Sequence, residues 1–409
     1  MSTIKLIFRQ LWRNRLFTFL NVFGLAIGIS ACWLIFRIVN YEFSFDQHHP
    51  ESEQIYKVHT SYEEKDKLDH FDGVPAPLPA YIKENFVNVE LTVPIFKQYF
   101  ERVSNQGGGQ KIEFEDQSEI IGTTAEYFKM TPYVWLAGNP RNILQNSHEV
   151  VLTESRAKLY FPNMPVDQIV GKTLSYDSTL YNVAGVVKDL AHPSSFLAKE
   201  FIRIPEKESQ STNWNNSNSN WQLFIKVKSS ASLPNMIQTA DKKVYEMTHA
   251  EFDKFGFKMH INTVPLKDLH FTSYAQNNVD KKIMYGLIGI GVFLLLLACV
   301  NYINLATAQI PQRAKEIGIR KTLGESQKRI TTFFLLETFC ITAFSVLLSW
   351  PLLLVVQTIL SAYIPDQLKL YPDPWGVSLF LAILTITITF ISAGYPILLT
   401  NKIKIVEVI

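Results

Sequence analysis

Apolar residues fall in blocks along this chain. Charge-free runs cover residues 16–36, 283–312 and 374–401, and a fourth, 330–365, is broken only by Glu337. Each can cross about 30 Å of hydrocarbon, which takes ~20 helical residues. The pattern predicts four transmembrane α-helices, over 16–40, 283–310, 330–357 and 375–400. Between the first two, residues 41–282 are polar and mixed in charge, a stretch larger than one core requires. It should fold in water as an α+β domain. Residues 54–60 and 221–228 alternate like half-buried strands, and 181–187 reads as a more buried one. Helices are expected over 79–85 and 234–255, and Val150, Val151 and Leu152 form a strand leading into a helix capped at Thr153. Turns are expected at 106–110, with three successive glycines, and in the Asn/Ser-rich 212–220. No internal repeat is visible.

Charge orients the spans, because short cytoplasmic loops carry the excess of Lys and Arg. The amino-terminal segment, 1–15, has Lys5, Arg9, Arg13 and Arg15 and no acid. The 311–329 loop sets Arg313, Lys315, Arg320, Lys321, Lys328 and Arg329 against Glu316 and Glu325; the 358–374 loop has only Lys369, against Asp366 and Asp373; the tail, 401–409, has Lys402 and Lys404. Both termini are therefore expected in the cytoplasm, with 41–282 on the periplasmic side. Arg37 dissents, and snorkelling to the headgroups accounts for it. The first span reads as a retained anchor: it exceeds the apolar core of a signal peptide, and Asn40-Tyr41-Glu42-Phe43 lacks a small-x-small cleavage pattern. All three cysteines, Cys32, Cys299 and Cys340, lie in predicted spans, so the outer domain has none for a disulfide. A net charge near +2 gives no reason to expect a nucleic-acid partner.

In the amino-terminal segment Ile4, Ile7, Phe8 and Leu11 share a stripe opposite Lys5, Arg9 and Arg13, the pattern of a helix lying at the lipid headgroups. Gly24 and Gly28, continued at Cys32, form a small face that admits another helix closely, of this chain or another. In the 311–329 loop a helix would point Ala314 and Ile317 one way and Ile319 and Leu323 nearly the other. A helix apolar on two sides wants two partners, one the membrane bundle and the other a cytoplasmic protein; an ordinary basic loop is the plainer alternative. Glu337 lies inside a span, where a carboxylate must find a partner or a proton. Asn301 or Asn304 could supply one, as a switching clasp or as a static hydrogen bond. Gly171-Lys172-Thr173 is not a phosphate loop, since Val166 stands where its first glycine belongs. His48 and His49 lack a third metal ligand at readable spacing, and Ser155 and Ser195 sit in no nucleophile elbow. No catalytic, cofactor-binding or metal-binding residue is expected.

The run Arg313-Ala314-Lys315-Glu316-Ile317-Gly318-Ile319-Arg320-Lys321-Thr322-Leu323-Gly324, directly after NYINLATAQ and before FFLLE, resembles the signature of MacB/FtsX-type ABC transporter permeases. So do FRQLWRNRLFTFLNVFGLAIGISA, YEFSFDQHHPESEQIYKV, VVLTESRAKLYF, GKTL followed by YNVAGVVKDL, PLKDLH and AGYP, in order along nearly the whole chain. The resemblance implies that Arg313, Lys315, Glu316, Ile317, Gly318, Ile319, Arg320, Lys321, Leu323 and Gly324 form a coupling helix seated in a cytoplasmic ABC ATPase. That subunit would hold the ATP and Mg²⁺; this chain would bind no cofactor and transmit motion to its outer domain, which works on an export or envelope client or a periplasmic adaptor. It further implies a bacterial inner-membrane location and a second permease unit, as another chain or as more of a longer one. The tail departs from the family pattern, reading Ile397-Leu398-Leu399 and then Lys402-Ile403-Lys404 after Gly-Tyr-Pro. The competing class is a transmembrane sensor whose outer domain binds a ligand or a cell-wall hydrolase; a short basic cytoplasmic loop with no output domain fits it less well.

Overall fold

Helix begins with the first residue described. The structure, a computed structural model, describes residues 3–65, 67–105, 112–272, 279–361 and 373–402, and not the side chains of 3, 4, 315, 316 and 400–402. The turn expected at 106–110, most of the 358–374 loop and most of the tail lie outside these residues. The chain divides into two compact units, Met1–Phe43 with Lys281–Ile409, and Ser44–Asp280. The first unit opens with α1 (Thr3–Arg13) and α2 (Arg15–Phe43). Asn14 separates them, and the Thr18 hydroxyl donates to the Leu11 carbonyl at 3.0 Å, satisfying one acceptor at the end of α1.

The second unit runs β1 (Ile55–Glu64), β2 (Lys67–Phe71), α3 (Leu78–Asn85), β3 (Val89–Asn105), β4 (Ile112–Thr123), α4 (Tyr127–Met130), β5 (Trp135–Gly138), β6 (Glu149–Thr153), α5 (Glu154–Tyr160), β7 (Thr173–Tyr176), β8 (Thr179–Val187), β9 (Glu200–Arg203), α6 (Glu206–Ser209), β10 (Trp221–Val227), α7 (Leu233–Phe252), β11 (Phe257–Pro265) and α8 (Leu266–Leu269). Four strands lie in the order β11-β1-β10-β3, each antiparallel to the next, with α3 between β1 and β3 and α7 between β10 and β11. This is the ferredoxin-like split βαβ arrangement. Leu233, Met236, Ala240 and Val244 recur at helical spacing on α7 and pack with Val58, Leu223, Ile225 and Ile261 of the sheet.

A second subdomain is inserted between β3 and β10. The 17-residue β3 pairs with β10 through its first half and with β4 and β7 through its second. From β3 the ladder passes through β4, β9, β6, β8 and β7 and returns to β3, closing a six-stranded ring. Val103, Ile120, Val150, Leu152, Tyr160, Tyr176 and Ile202 share its core. Closure shortens the edges of this part of the sheet; among the described residues the 112–119 stretch of β4 pairs with β3 alone. Thr153 stands at the amino-terminal cap of α5 without a side-chain capping bond; Asp189 instead accepts from the Ser155 amide at 2.8 Å and the Ser155 hydroxyl at 2.5 Å.

One expectation is corrected. β1 and β10 were both expected half-buried by their alternation, yet residues 55–61 of β1 are buried, and so are all seven residues of β10. β10 is an interior strand: Leu223, Ile225 and Val227 face the α3/α7 core, Phe224 faces a second core, and Gln222 and Lys226 pair with acids. Alternation there separates two covered faces, not a dry face from a wet one.

The first unit resumes with α9 (Lys281–Ala308), α10 (Ile310–Thr322), α11 (Gln327–Ile359) and α12 (Pro374–Lys402). Among the described residues of this unit, α2, α9, α11 and α12 are long and apolar enough to cross a membrane. Their shared core contains Leu25, Ile29, Ala298, Cys299, Tyr302, Phe333, Ile341, Leu384 and Ile388, together with Ile7 and Leu11 of α1. The buried face of α11 carries Thr338, Thr342, Ser345 and Ser349. Their hydroxyls donate to carbonyls of the same helix, so the stripe allows close helix approach without an unsatisfied polar group.

Candidate coupling site

The segment after the second membrane helix folds as α10, with Pro311 in its first turn, where an amide would lack a partner anyway. Its end is closed by Leu323 and Gly324, whose amides donate to the Ile319 and Lys321 carbonyls at 3.0 and 3.1 Å. Gly324 has φ +82, the left-handed backbone that favours glycine after a helix. Ile317 and Gly318 are buried, whereas Ile319 is 60% and Leu323 82% exposed. The helix therefore has an inner apolar face already covered and an outer one without cover among the described residues. On the inner side Gln10 of α1, Ile317, Ile330 and Phe333 border a small cavity of about 20 Å³. The Arg320 guanidinium stands 4.7 Å from the Phe333 ring centroid, a cation–π distance.

Glu337 is buried on α11, and its partner is Arg313. The two side chains meet through Nη1–Oε2 at 2.7 Å and Nη2–Oε1 at 2.9 Å, a bidentate fork. Nη2 also donates to Gln309 Oε1 at 2.9 Å, and the guanidinium lies 5.7 Å from the Phe334 centroid. This corrects the expectation for Asn301 and Asn304: both are exposed on α9, and neither bonds Glu337 among the described residues. It also turns Arg313 inward, away from the face that carries Ile319 and Leu323. One residue on, Thr338 hydrogen-bonds Tyr302 of α9 at 3.0 Å. The backbones of Lys315 and Glu316 are helical, but their side chains lie outside those described, and Lys321 is half-buried.

Gly24 and Gly28 face α9 of the same chain. A Cβ on Gly28 would stand 2.7 Å from Ala298 Cβ, and one on Gly24 3.1 Å from Asn301 Nδ2. Cys32 continues the contact, its thiol donating to the Gly291 carbonyl at 3.2 Å.

Two polar clusters in the outer unit escaped the sequence reading. Asp46, buried and at φ +57, binds Ser194 and Ser195: its carboxylate accepts from both hydroxyls (2.7 and 2.6 Å) and from the Ser195 amide (3.0 Å), while its own amide donates to the Pro193 carbonyl at 3.0 Å. Burial pushes its carboxyl up, against those hydrogen bonds. Phe45 beside it stacks on His270 at 3.6 Å, and His48 stacks on His192 at 3.9 Å. The chain leaving α2 is thus fastened to a loop some 150 positions away, a pairing no local pattern announces. The second cluster centres on Glu200, fully buried in the ring. Its carboxylate accepts from the Tyr160 hydroxyl at 2.6 Å and the Tyr176 hydroxyl, and meets Arg156 Nε at 3.0 Å. Among the described residues no group of three or more His, Cys, Asp or Glu side chains is placed to hold a metal.

These features define a multi-pass membrane protein with a large α+β domain between its first two spans and a two-faced helix after the second. Its sequence matches the family of the MacB-like periplasmic core domain over residues 18–242, more than half of the chain, and the FtsX-like permease C-terminal family over 288–405. The chain belongs to the MacB/FtsX type of ABC transporter permeases, with a MacB-like periplasmic core domain and an FtsX-like membrane domain. FtsX-like permease families are non-catalytic, ATP being hydrolysed by a partner subunit. Among similar proteins is "Macrolide export ATP-binding/permease protein MacB 1" of Yersinia pestis bv. Antiqua (strain Antiqua), 21% identical over 296 residues, 71% of this chain and 43% of that one. Another is "Uncharacterized ABC transporter permease YvrN" of Bacillus subtilis (strain 168), 22% identical over 241 residues, 55% of this chain and 54% of that one. The alignments thus span about half of those relatives or less. The crystal structure of the periplasmic region of MacB from Actinobacillus actinomycetemcomitans is similar with a TM-score of 0.34 and 15% identity, over 51% of this chain and 88% of that one.

Proposed function

We propose that this chain is the force-transmitting subunit of its ABC system, with α10 seated in a cytoplasmic ATPase and both termini on the same side of the membrane. The observation that carries this reading is the two-faced α10: Ile317 is covered by the bundle while Ile319 and Leu323 stand exposed beside Arg320 and Lys321. An exposed apolar pair on a short basic helix fits a protein partner better than water. Arg313 and Glu337 then tie α10 to α11, so that displacing the helix pulls directly on a membrane span. A second permease unit completes the membrane portion, and the outer domain works on an export or envelope client such as a lipoprotein, peptide, toxin or antimicrobial. The ATP and Mg²⁺ sites belong to the partner subunit.

The test replaces Ile319 and Leu323 together by Glu in the full chain, reconstituted with its cognate ATPase. The expected result is loss of permease-dependent ATPase stimulation with membrane insertion and thermal stability unchanged. Full stimulation by the double variant would overturn the assignment of this face. Replacing Glu316 and Arg320 should uncouple in the same assay.

A further inference from the structure

Between α1, α2 and α11 of the membrane unit lies a cavity of about 680 Å³, in the size range of small-molecule sites and, like them, mostly apolar. Phe19 and Val22 of α2, Phe344, Leu347, Leu348 and Pro351 of α11, and Phe8, Leu11 and Trp12 of α1 line it. Pro351 has no amide to donate to the helix ladder and favours a bend in α11 at the groove. Besides the indole N–H of Trp12, only two lining residues, Thr18 and Arg15, bear polar side-chain groups. The Thr18 hydroxyl is already spent on the Leu11 carbonyl. Arg15 is exposed, and no acid pairs with it among the described residues. The remaining chemistry of the groove is therefore one cation at the mouth of an apolar trough.

We infer that this groove is a binding site for one anionic phospholipid, an acyl chain lying against Phe19, Val22, Phe344 and Leu348 and the phosphate on Arg15. The groove is continuous with surface that must be covered by lipid: Trp12 is 81%, Leu16 72% and Leu347 70% exposed. Bilayer lipid is thus already at its opening. Lys5, Arg9, Arg13 and Arg15 stand in a stretch whose first acid is Glu42, so the field at the mouth favours an anion over a zwitterion. Bilayer hydrocarbon is as apolar as the groove, so the acyl chain is held there by van der Waals packing against the lining side chains, and the guanidinium selects the headgroup. An exposed Trp beside the mouth is the residue type that settles at headgroup depth.

The site is independent of the ATPase assignment and is tested without an ATPase. The full chain is reconstituted in nanodiscs of phosphatidylcholine with about one-fifth phosphatidylglycerol, released into mild detergent and analysed by native mass spectrometry. The wild type should retain one phosphatidylglycerol in preference to phosphatidylcholine. Arg15→Gln should cut that retention at least tenfold and Arg15→Lys should largely restore it, both at unchanged thermal stability, since the side chain is exposed. Leu348→Trp, which fills the trough, should abolish retention; its helicity is checked by circular dichroism, and the Arg15 pair decides the matter if it does not fold. Equal retention of both lipids by the wild type, or unchanged retention by Arg15→Gln, overturns the proposal. So does cross-linking of Leu347→Cys to a second copy of the chain, which would make the groove a protein interface.

Discussion

Glu200 and Glu337 are both buried and both meet an arginine, but the two pairs are built differently. Glu200 sits inside the closed ring with three sources of protons around it, the Tyr160 and Tyr176 hydroxyls and Arg156. Arg156 in turn donates to Gln117 Oε1 at 2.7 Å and the Ser118 carbonyl at 2.8 Å. Burial pushes the Glu200 carboxyl up and the two tyrosines higher still, so their hydroxyls remain donors. Each donor there is backed by two others. Among the described residues Glu337 has only the Arg313 fork, and the two residues belong to different helices, one of them a 13-residue element carrying an exposed apolar pair. A redundant network inside a ring of strands holds one geometry. A two-residue fork between helices registers whether those helices are together.

Breaking the comparison at its most vulnerable point has the largest expected effect. Arg313→Ala should destabilise the chain in detergent by about 3–5 kcal/mol, because it leaves a buried carboxylate with no donor; Glu337→Gln in that background should recover most of the loss, as read by thermal unfolding. No recovery would show that the arginine matters for packing alone.

Acid offers a second perturbation, specific to the outer unit. His59 is buried, and burial, with His70 and Lys57 nearby, lowers its pKa from 6.5 to about 4. Below pH 6.5 the unfolded chain takes up a proton that the folded one refuses, so this contribution is complete above pH 6.5 and is lost as pH falls toward 4. The loss approaches about 3 kcal/mol. His59→Gln should flatten the acid limb of the stability profile, and an unchanged limb would locate the sensitivity elsewhere.

Arg156→Met tests the redundancy of the ring cluster. With two tyrosine hydroxyls still on Glu200, it should cost about 1–3 kcal/mol, less than Arg313→Ala. Equal costs would remove the distinction between the two pairs. The smallest stability effect belongs to Ile319→Glu, expected within about 0.5 kcal/mol because the side chain is exposed, while ATPase stimulation falls.

Some of the local geometry was legible before the structure. The two faces of α10 followed from the placing of Ile317 against Ile319 and Leu323, because a helix turns a fixed angle per residue. Gly24 and Gly28 announced a close helix contact for a similar reason. The partner of Glu337 was not legible: Arg313 is 24 positions away, and only the fold of α10 back onto α11 brings them together. Asn301 and Asn304 were nearer candidates by composition, but both are exposed, Asn301 lying against Gly24 of α2. Asp46 gave no signal either, since its serine partners lie about 150 positions on and its left-handed backbone is visible only in the fold.

By itself the sequence determined the four spans, the α+β domain between the first two, the course of α10 and the family motifs. Those depend on interactions a few residues long: the cost of a bare backbone in hydrocarbon, the period of a helix and the alternation of a strand. Only the tertiary structure decided that β3 returns through β7 to close a ring, that Arg313 turns inward to Glu337, that Asp46 fastens the chain leaving α2, and that a groove opens beside Arg15. Each of these joins groups far apart in the chain. Their pairing is chosen by which polar atoms are left without water once the elements pack, and that is a property of the packed arrangement.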